Sequence, residues 1–234
     1  MQLARKQRHL PKIIRRLIAQ EEPKSPISEQ YRNVRTNIQF ASVDKEIRSF
    51  LVTSSSPAEG KTTTTANLAV VFAQQGKKVL LIDADLRKPA IHTMFHVDNL
   101  FGLTSILSKQ ATFEKCVTPT LVENLDFLPS GAIPPNPAEL LGSSKMKELI
   151  EEAYNHYDLV IIDTPPVLAV TDAQVLANIV DGIIMIVRSG QTEQEAAVKA
   201  KSLLENSKGK LLGVVLNAKK QKESQYYYYY GSEE

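Results

Sequence analysis

The chain predicts a doubly wound α/β fold, a mainly parallel sheet with helices on both faces. Two observations carry that expectation. Short, near-continuous apolar runs recur along the sequence, as strands buried on both faces require, and stretches between them have the apolar spacing of amphipathic helices. Parallel strands joined by helices cross over in the right-handed sense, which winds the helices onto both faces. A length of 234 residues with 43% hydrophobic residues is enough for one large core, so a single unit with tails is expected.

In order along the chain, residues 1–20 carry Arg5, Lys6, Arg8, Lys12, Arg15 and Arg16 and no acid, while Leu10, Ile13, Ile14, Leu17 and Ile18 recur at helical spacing. With Pro11 near its first turn, this reads as a basic amphipathic helix able to lie on an anionic leaflet or dock onto a partner. An arm packed loosely on its own domain stands beside it as an equal alternative. After the linker Glu21-Glu22-Pro23-Lys24, Ser25 is a good N-cap and Pro26 a good first helical residue. Ile27, Tyr31, Val34 and Ile38 then share one face of a helix over about 26–41. Strands are expected at 50–53, 79–82, 159–162, 183–187 and 214–216, with a helix starting at Lys61. The division is an arm and linker over 1–24, the main domain over 25–220, and a flexible tail over 221–234. That tail holds the one low-complexity segment, Tyr226, Tyr227, Tyr228, Tyr229 and Tyr230.

Composition narrows the function classes. A formal charge of +2 gives the whole molecule no strong field for nucleic acid. The single cysteine, Cys116, excludes an internal disulfide and a multi-cysteine metal site, fits a reducing cytoplasm, and reads as a small buried residue. His9, His92, His96 and His156 show no shared metal-ligand spacing. No apolar run approaches the roughly 18 residues of a spanning helix, and the N-terminus lacks the apolar region of a secretory signal.

The chemistry concentrates at strand ends. Ser55-Ser56-Pro57-Ala58-Glu59-Gly60-Lys61-Thr62 lies between a strand and a helix, where backbone N–H groups and a helix N-terminus cradle phosphate. Ser55 stands where the G-x-x-x-x-G-K-[ST] pattern has its first glycine, so the turn must be made differently. Ser56, Pro57, Ala58, Glu59, Gly60, Lys61, Thr62 and Thr63 are the candidate nucleotide cradle, with Lys61 on the β/γ-phosphates and the Thr62 hydroxyl on Mg²⁺. Asp83 and Asp85, at i and i+2 of an apolar strand end, point to one side, and Asp163 ends a second such strand. Each acid could instead cap the next helix. Three of them around one phosphate loop favour Mg·ATP at the carboxyl edge of a P-loop NTPase sheet.

The order of these motifs resembles the bacterial tyrosine kinase family that controls capsular and extracellular polysaccharide export. The likeness runs from about residue 25 to the C-terminus. It rests on Asp83-x-Asp85-x-Arg87 after four apolar residues, on Glu29-x-x-Arg32-x-x-Arg35, on the proline loop from Ile133 to Leu141, and on the tyrosine cluster. The resemblance implies ATP and Mg²⁺ as cofactors, Asp83 as the base with Lys61 catalytic, and Thr62, Asp85 and Asp163 at the metal; the residues alone leave the base open between Asp83 and Asp85. It further implies phosphate acceptance by Tyr226–Tyr230 of a neighbouring copy, and a ring-like homo-oligomer joined through Glu29, Arg32 and Arg35. A transmembrane adaptor of the polysaccharide co-polymerase type, a tyrosine phosphatase and other protein substrates are the implied partners, with no nucleic acid. The protein would then be cytoplasmic and recruited to the inner face of the membrane. Asn217, at the tip of the final strand, is the candidate reader of adenine, and Arg87 is open between a functional and a structural role. The rival is a MinD/ParA-like ATPase switch without kinase activity. That group has a lysine at the second loop position, where this chain has Ser56. A catalytically silent scaffold is the third reading.

Overall fold

The computed structural model describes residues 16–41 and 46–220. Its strands are β1 (Ser49–Ser54), β2 (Val79–Asp83), β3 (Thr118–Pro119), β4 (Leu125–Leu128), β5 (Leu159–Asp163), β6 (Gly182–Arg188) and β7 (Lys210–Asn217). The helices are α1 (Ile18–Glu21), α2 (Pro26–Phe40), α3 (Lys61–Ala73), α4 (Ile91–Phe95), α5 (Leu103–Leu107), α6 (Phe113–Cys116), α7 (Pro137–Leu141), α8 (Ser144–Ala153), α9 (Asp172–Leu176) and α10 (Gln194–Glu205).

The strands form one sheet in the order β3-β4-β2-β5-β1-β6-β7, parallel throughout except where β3 runs against β4. Side chains alternate across it with the two-residue period of extended backbone. Phe50, Val52, Leu81 and Ile161 enter a core under α2 and α3, whereas Leu51, Leu80, Ile82 and Ile162 enter one under α8, α9 and α10. Both faces are therefore dry, and near-continuous apolar strands follow. Truncating any of these fully buried leucines or isoleucines to alanine costs about 2–5 kcal/mol. β5 sits between β1 and β2, so the chain leaves β1 in one direction for β2 and later leaves β5 in the other, past β1, for β6. The carboxyl ends of β1, β2 and β5 consequently open into one crevice at the switch of strand order.

α2 starts as expected, with Ser25 Oγ accepting from Ser28 N–H at 3.2 Å and Pro26 in the first turn. The segment before it differs from the expected arm and linker. Leu17 and Ala19 are buried, and Asn67 in the middle of α3 bonds both sides of them: its Oδ1 accepts from Ala19 N–H at 2.9 Å and its Nδ2 donates to Arg16 carbonyl at 3.0 Å. A fully buried asparagine needs its polar atoms satisfied; its Nδ2 also donates to Thr63 carbonyl within α3 at 2.9 Å, and the segment at 16–19 supplies the rest. Residues 16–22 thus pack as part of the main unit. Residues 1–15 of the basic arm and the tail with Tyr226–Tyr230 lie outside the described residues. Among the described residues no helix is long and apolar enough to cross a membrane.

Candidate active site

The loop from β1 to α3 makes its turn with two left-handed residues, Ala58 at φ 65° and Gly60 at φ 92°. Ser55, in the place of the missing glycine, is buried and donates its hydroxyl to Glu59 Oε1 at 2.7 Å. The turn has moved three residues along, from a glycine at 55 to a strained alanine at 58. A side chain at Gly60 is blocked, since a Cβ there would stand 1.9 Å from Asn217 Nδ2. α3 begins at once with Lys61, and no side chain caps it. Its first-turn N–H groups are left for an anion, which the helix dipole also favours.

The acids converge from two neighbouring strands. Lys61 Nζ lies 3.1 Å from both oxygens of Asp163 and 3.8 Å from Asp85 Oδ2. Asp163 also accepts from the hydroxyls of Thr62 at 2.9 Å and Thr65 at 3.0 Å. Thr65 was not foreseen, although it lies one helical turn after Lys61 on the same face. Asp83 is paired in register with Asp163 on the adjacent strand. It is fully buried; Oδ2 accepts from the N–H groups of Ala90 at 3.0 Å and Ile91 at 3.1 Å, and Oδ1 from Asp85 N–H at 3.2 Å. Burial, and then the charge of Asp163, push its pKa up to about 7. Asp163 is also raised by burial, against the opposing pull of Lys61. Of the two acids at the end of β2, Asp85 is the one at the opening, while Asp83 braces the start of α4.

Arg87 resolves as an anchor. Its guanidinium grips Asp172 of α9 through two bonds of 3.0 Å, and Asp172 is wholly buried. This ties the turn carrying Asp85 to the helix layer. Asn217 is also committed within the chain: Nδ2 donates to Glu59 carbonyl at 2.9 Å and Oδ1 accepts from Ala218 N–H at 2.8 Å. One N–H and one oxygen lone pair of the amide remain beyond these bonds, so Asn217 holds the loop and keeps a donor and an acceptor that a base could meet. Glu29 and Arg32 form the local i,i+3 pair at 2.8 Å, and Arg35 donates to Val71 carbonyl at 2.9 Å near the end of α3. Cys116 is free and buried.

The residues present fit Mg²⁺ and ATP. An uncapped helix start beneath a left-handed glycine suits polyphosphate, and Lys61 is placed to exchange Asp163 for a phosphate oxygen. Among the described residues there is no cluster of three or more His, Cys, Asp or Glu able to hold a metal. One hydroxyl and two separate carboxylates are the partial ligand set that suits Mg²⁺, which keeps several waters and phosphate oxygens.

A protein family described as an AAA domain matches residues 57–208. Tyrosine-protein kinase YwqD of Bacillus subtilis is 60% identical over 206 residues, 88% of this chain and 87% of that one. Among solved structures, the kinase domain of Escherichia coli tyrosine kinase ETK superposes with a TM-score of 0.85 at 36% identity, covering 93% of this chain and 85% of that chain. The septum site-determining protein MinD of Pyrococcus horikoshii, complexed with Mg-ADP, gives a TM-score of 0.65 at 28% identity over 75% of this chain and 72% of that one.

Proposed function

Since the chain belongs to the bacterial tyrosine kinase family, we propose that it transfers the γ-phosphate of ATP to tyrosine hydroxyls, its own Tyr226–Tyr230 among them, in the service of capsular or extracellular polysaccharide synthesis. The observation that carries this is the meeting of Lys61, Thr62, Asp85 and Asp163 beneath an uncapped helix start. The kinase reading is favoured over the ATPase switch by the much higher identity to the kinases.

Thr62, Asp85 and Asp163 would hold Mg²⁺, whose chemistry is to neutralise phosphate charge. Lys61 and the first-turn N–H groups of α3 meet the remaining charge and orient the phosphates. A tyrosine hydroxyl has a pKa of about 10 and needs a proton acceptor. Asp83 has the proton affinity for that role near neutral pH. Asp83 is held by three backbone N–H groups of the 85–91 turn, whereas Asp85 is the more exposed of the two acids. Ser56, Pro57, Ala58, Gly60 and Thr63 would line the nucleotide.

The acceptor tail belongs to a neighbouring copy in a ring joined through Glu29, Arg32 and Arg35. A transmembrane adaptor recruits the protein to the inner membrane face, helped by the basic arm, and a phosphatase resets the tyrosines. Mixing a Lys61→Met chain with an active chain lacking residues 221–234 tests transfer between copies. Label from γ-labelled ATP is expected on the Lys61→Met chain. If it stays unlabelled while the intact chain labels itself at a rate independent of concentration, transfer is within one chain.

A further inference from the structure

The phosphate loop is fastened by side-chain bonds from within and from the side of β6 and β7. Glu59 is 1% exposed, and its carboxylate accepts from Ser55 Oγ at 2.7 Å, Ser56 N–H at 3.2 Å and Thr192 Oγ1 at 2.6 Å. Thr192 Oγ1 itself accepts from Arg188 N–H at 2.8 Å, so its own proton is directed to Glu59. Two further side chains hold the loop's carbonyls: Arg188 Nη1 donates to Ala58 carbonyl at 3.2 Å and Asn217 Nδ2 to Glu59 carbonyl at 2.9 Å.

In a trans peptide the carbonyl and the following N–H point in opposite directions. Fastening the carbonyls of Ala58 and Glu59 toward β6 and β7 therefore turns the N–H groups of Glu59 and Gly60 the other way. Those are amides that a phosphate would use. The strained φ at Ala58 is held by the same contacts, and Ser55 needs no glycine because Glu59 closes the loop from within.

From this geometry we infer that Thr192 and the Glu59 side chain are positioning residues for the phosphate loop: Thr192, just past the end of β6, holds the Glu59 carboxylate, which in turn holds Ser55 and the Ser56 N–H, and neither side chain contacts the nucleotide. Glu59, expected in the nucleotide cradle, then contributes only through its N–H. The inference rests on the ATP reading of the loop.

The test uses the full chain and two readouts, equilibrium binding of a fluorescent ADP with Mg²⁺ and the KM and kcat for ATP. Thr192→Val removes the donor to Glu59 and keeps the shape. It should weaken ADP binding and raise the KM for ATP on the order of tenfold, the loss of one hydrogen bond to a charged group, while kcat moves less than about twofold. Thr192→Ser, which keeps the hydroxyl, should restore both. ADP affinity within about twofold of the parent in Thr192→Val overturns the inference, whatever happens to the melting temperature. A parent chain that binds no ADP overturns the phosphate-loop reading and this inference together, a result distinct from a parent that binds and variants that match it.

Discussion

Lys61 Nζ stands 3.1 Å from each carboxylate oxygen of Asp163, so the cation of the phosphate loop is neutralised from within the chain. A triphosphate must displace that carboxylate from the lysine. The carboxylate is then left to Thr62, Thr65 and a cation.

Lys61→Met should lower both ATP turnover and tyrosine labelling on the order of 10²–10³-fold, the size of losing one preorganised charge donor. The fold should remain, since Asp163 keeps its two hydroxyl donors and can take up a proton. Far-UV circular dichroism and a labelling assay with γ-labelled ATP check this, and undiminished labelling would remove Lys61 from the phosphates.

The raised pKa of Asp83 makes stability depend on pH with a definite sign. Unfolded, the carboxyl gives up its proton near the ordinary value of 3.8; folded, it does so at about 7. Between those values the native state holds more protons, so without nucleotide the stability this group contributes is full below the lower value and lost as pH rises through the upper one. Asp83→Asn should flatten that decline by about one proton across the window. Urea unfolding at a series of pH values measures it. The same substitution should reduce transfer more than nucleotide binding if Asp83 is the base, and equal losses would move it to the metal.

Gly60→Ala should cost about 1–3 kcal/mol through its positive φ and should push Asn217 away from the loop. ADP binding is expected to fall with it. A variant that melts and binds like the parent would mean the loop can turn without the left-handed glycine.

Glu29 and Arg32 form an exposed pair worth less than about 1 kcal/mol inside one chain. Arg32 also donates to Pro23 carbonyl, so Glu29→Ala is the cleaner change; it should leave the melting temperature nearly unchanged while ultracentrifugation shows smaller species. Arg35 is the poorer probe, because its bond to Val71 carbonyl also joins α2 to α3. Unchanged sedimentation would restrict this helix to a local role.

Much of this was readable in one dimension, for identifiable reasons. β2 and β5 announce themselves as five-residue runs, Val79–Asp83 and Leu159–Asp163, that end in an acid. β4 was missed because Leu125–Leu128 is four residues long and Asp126 interrupts it. α4, α5, α7 and α9 have five residues each, too few for a helical period to repeat. At the site, Lys61, Thr62, Asp85 and Asp163 meet because each lies beside a strand end that the pattern locates. Asp172 and Thr192 carry no local mark; their partners Arg87 and Glu59 are 85 and 133 residues away, and only the sheet order brings them together. The same holds for Asn67, whose partner Ala19 is 48 residues away in what the sequence presents as an arm.

Among the described residues β7 is the last strand, and Asn217 is its last residue. On the ribosome, domains fold as their N-terminal parts emerge first. The loop at 55–62 leaves the exit tunnel early, yet the side chain that fastens Glu59 carbonyl arrives only when the sheet is complete. Nucleotide competence is thus a late event in the life of the nascent chain. A molecule made only as far as Thr192 has the lysine, the acids and the holds from Arg188 and Thr192, but not the bond from Asn217, and the tyrosines follow Asn217 in the chain.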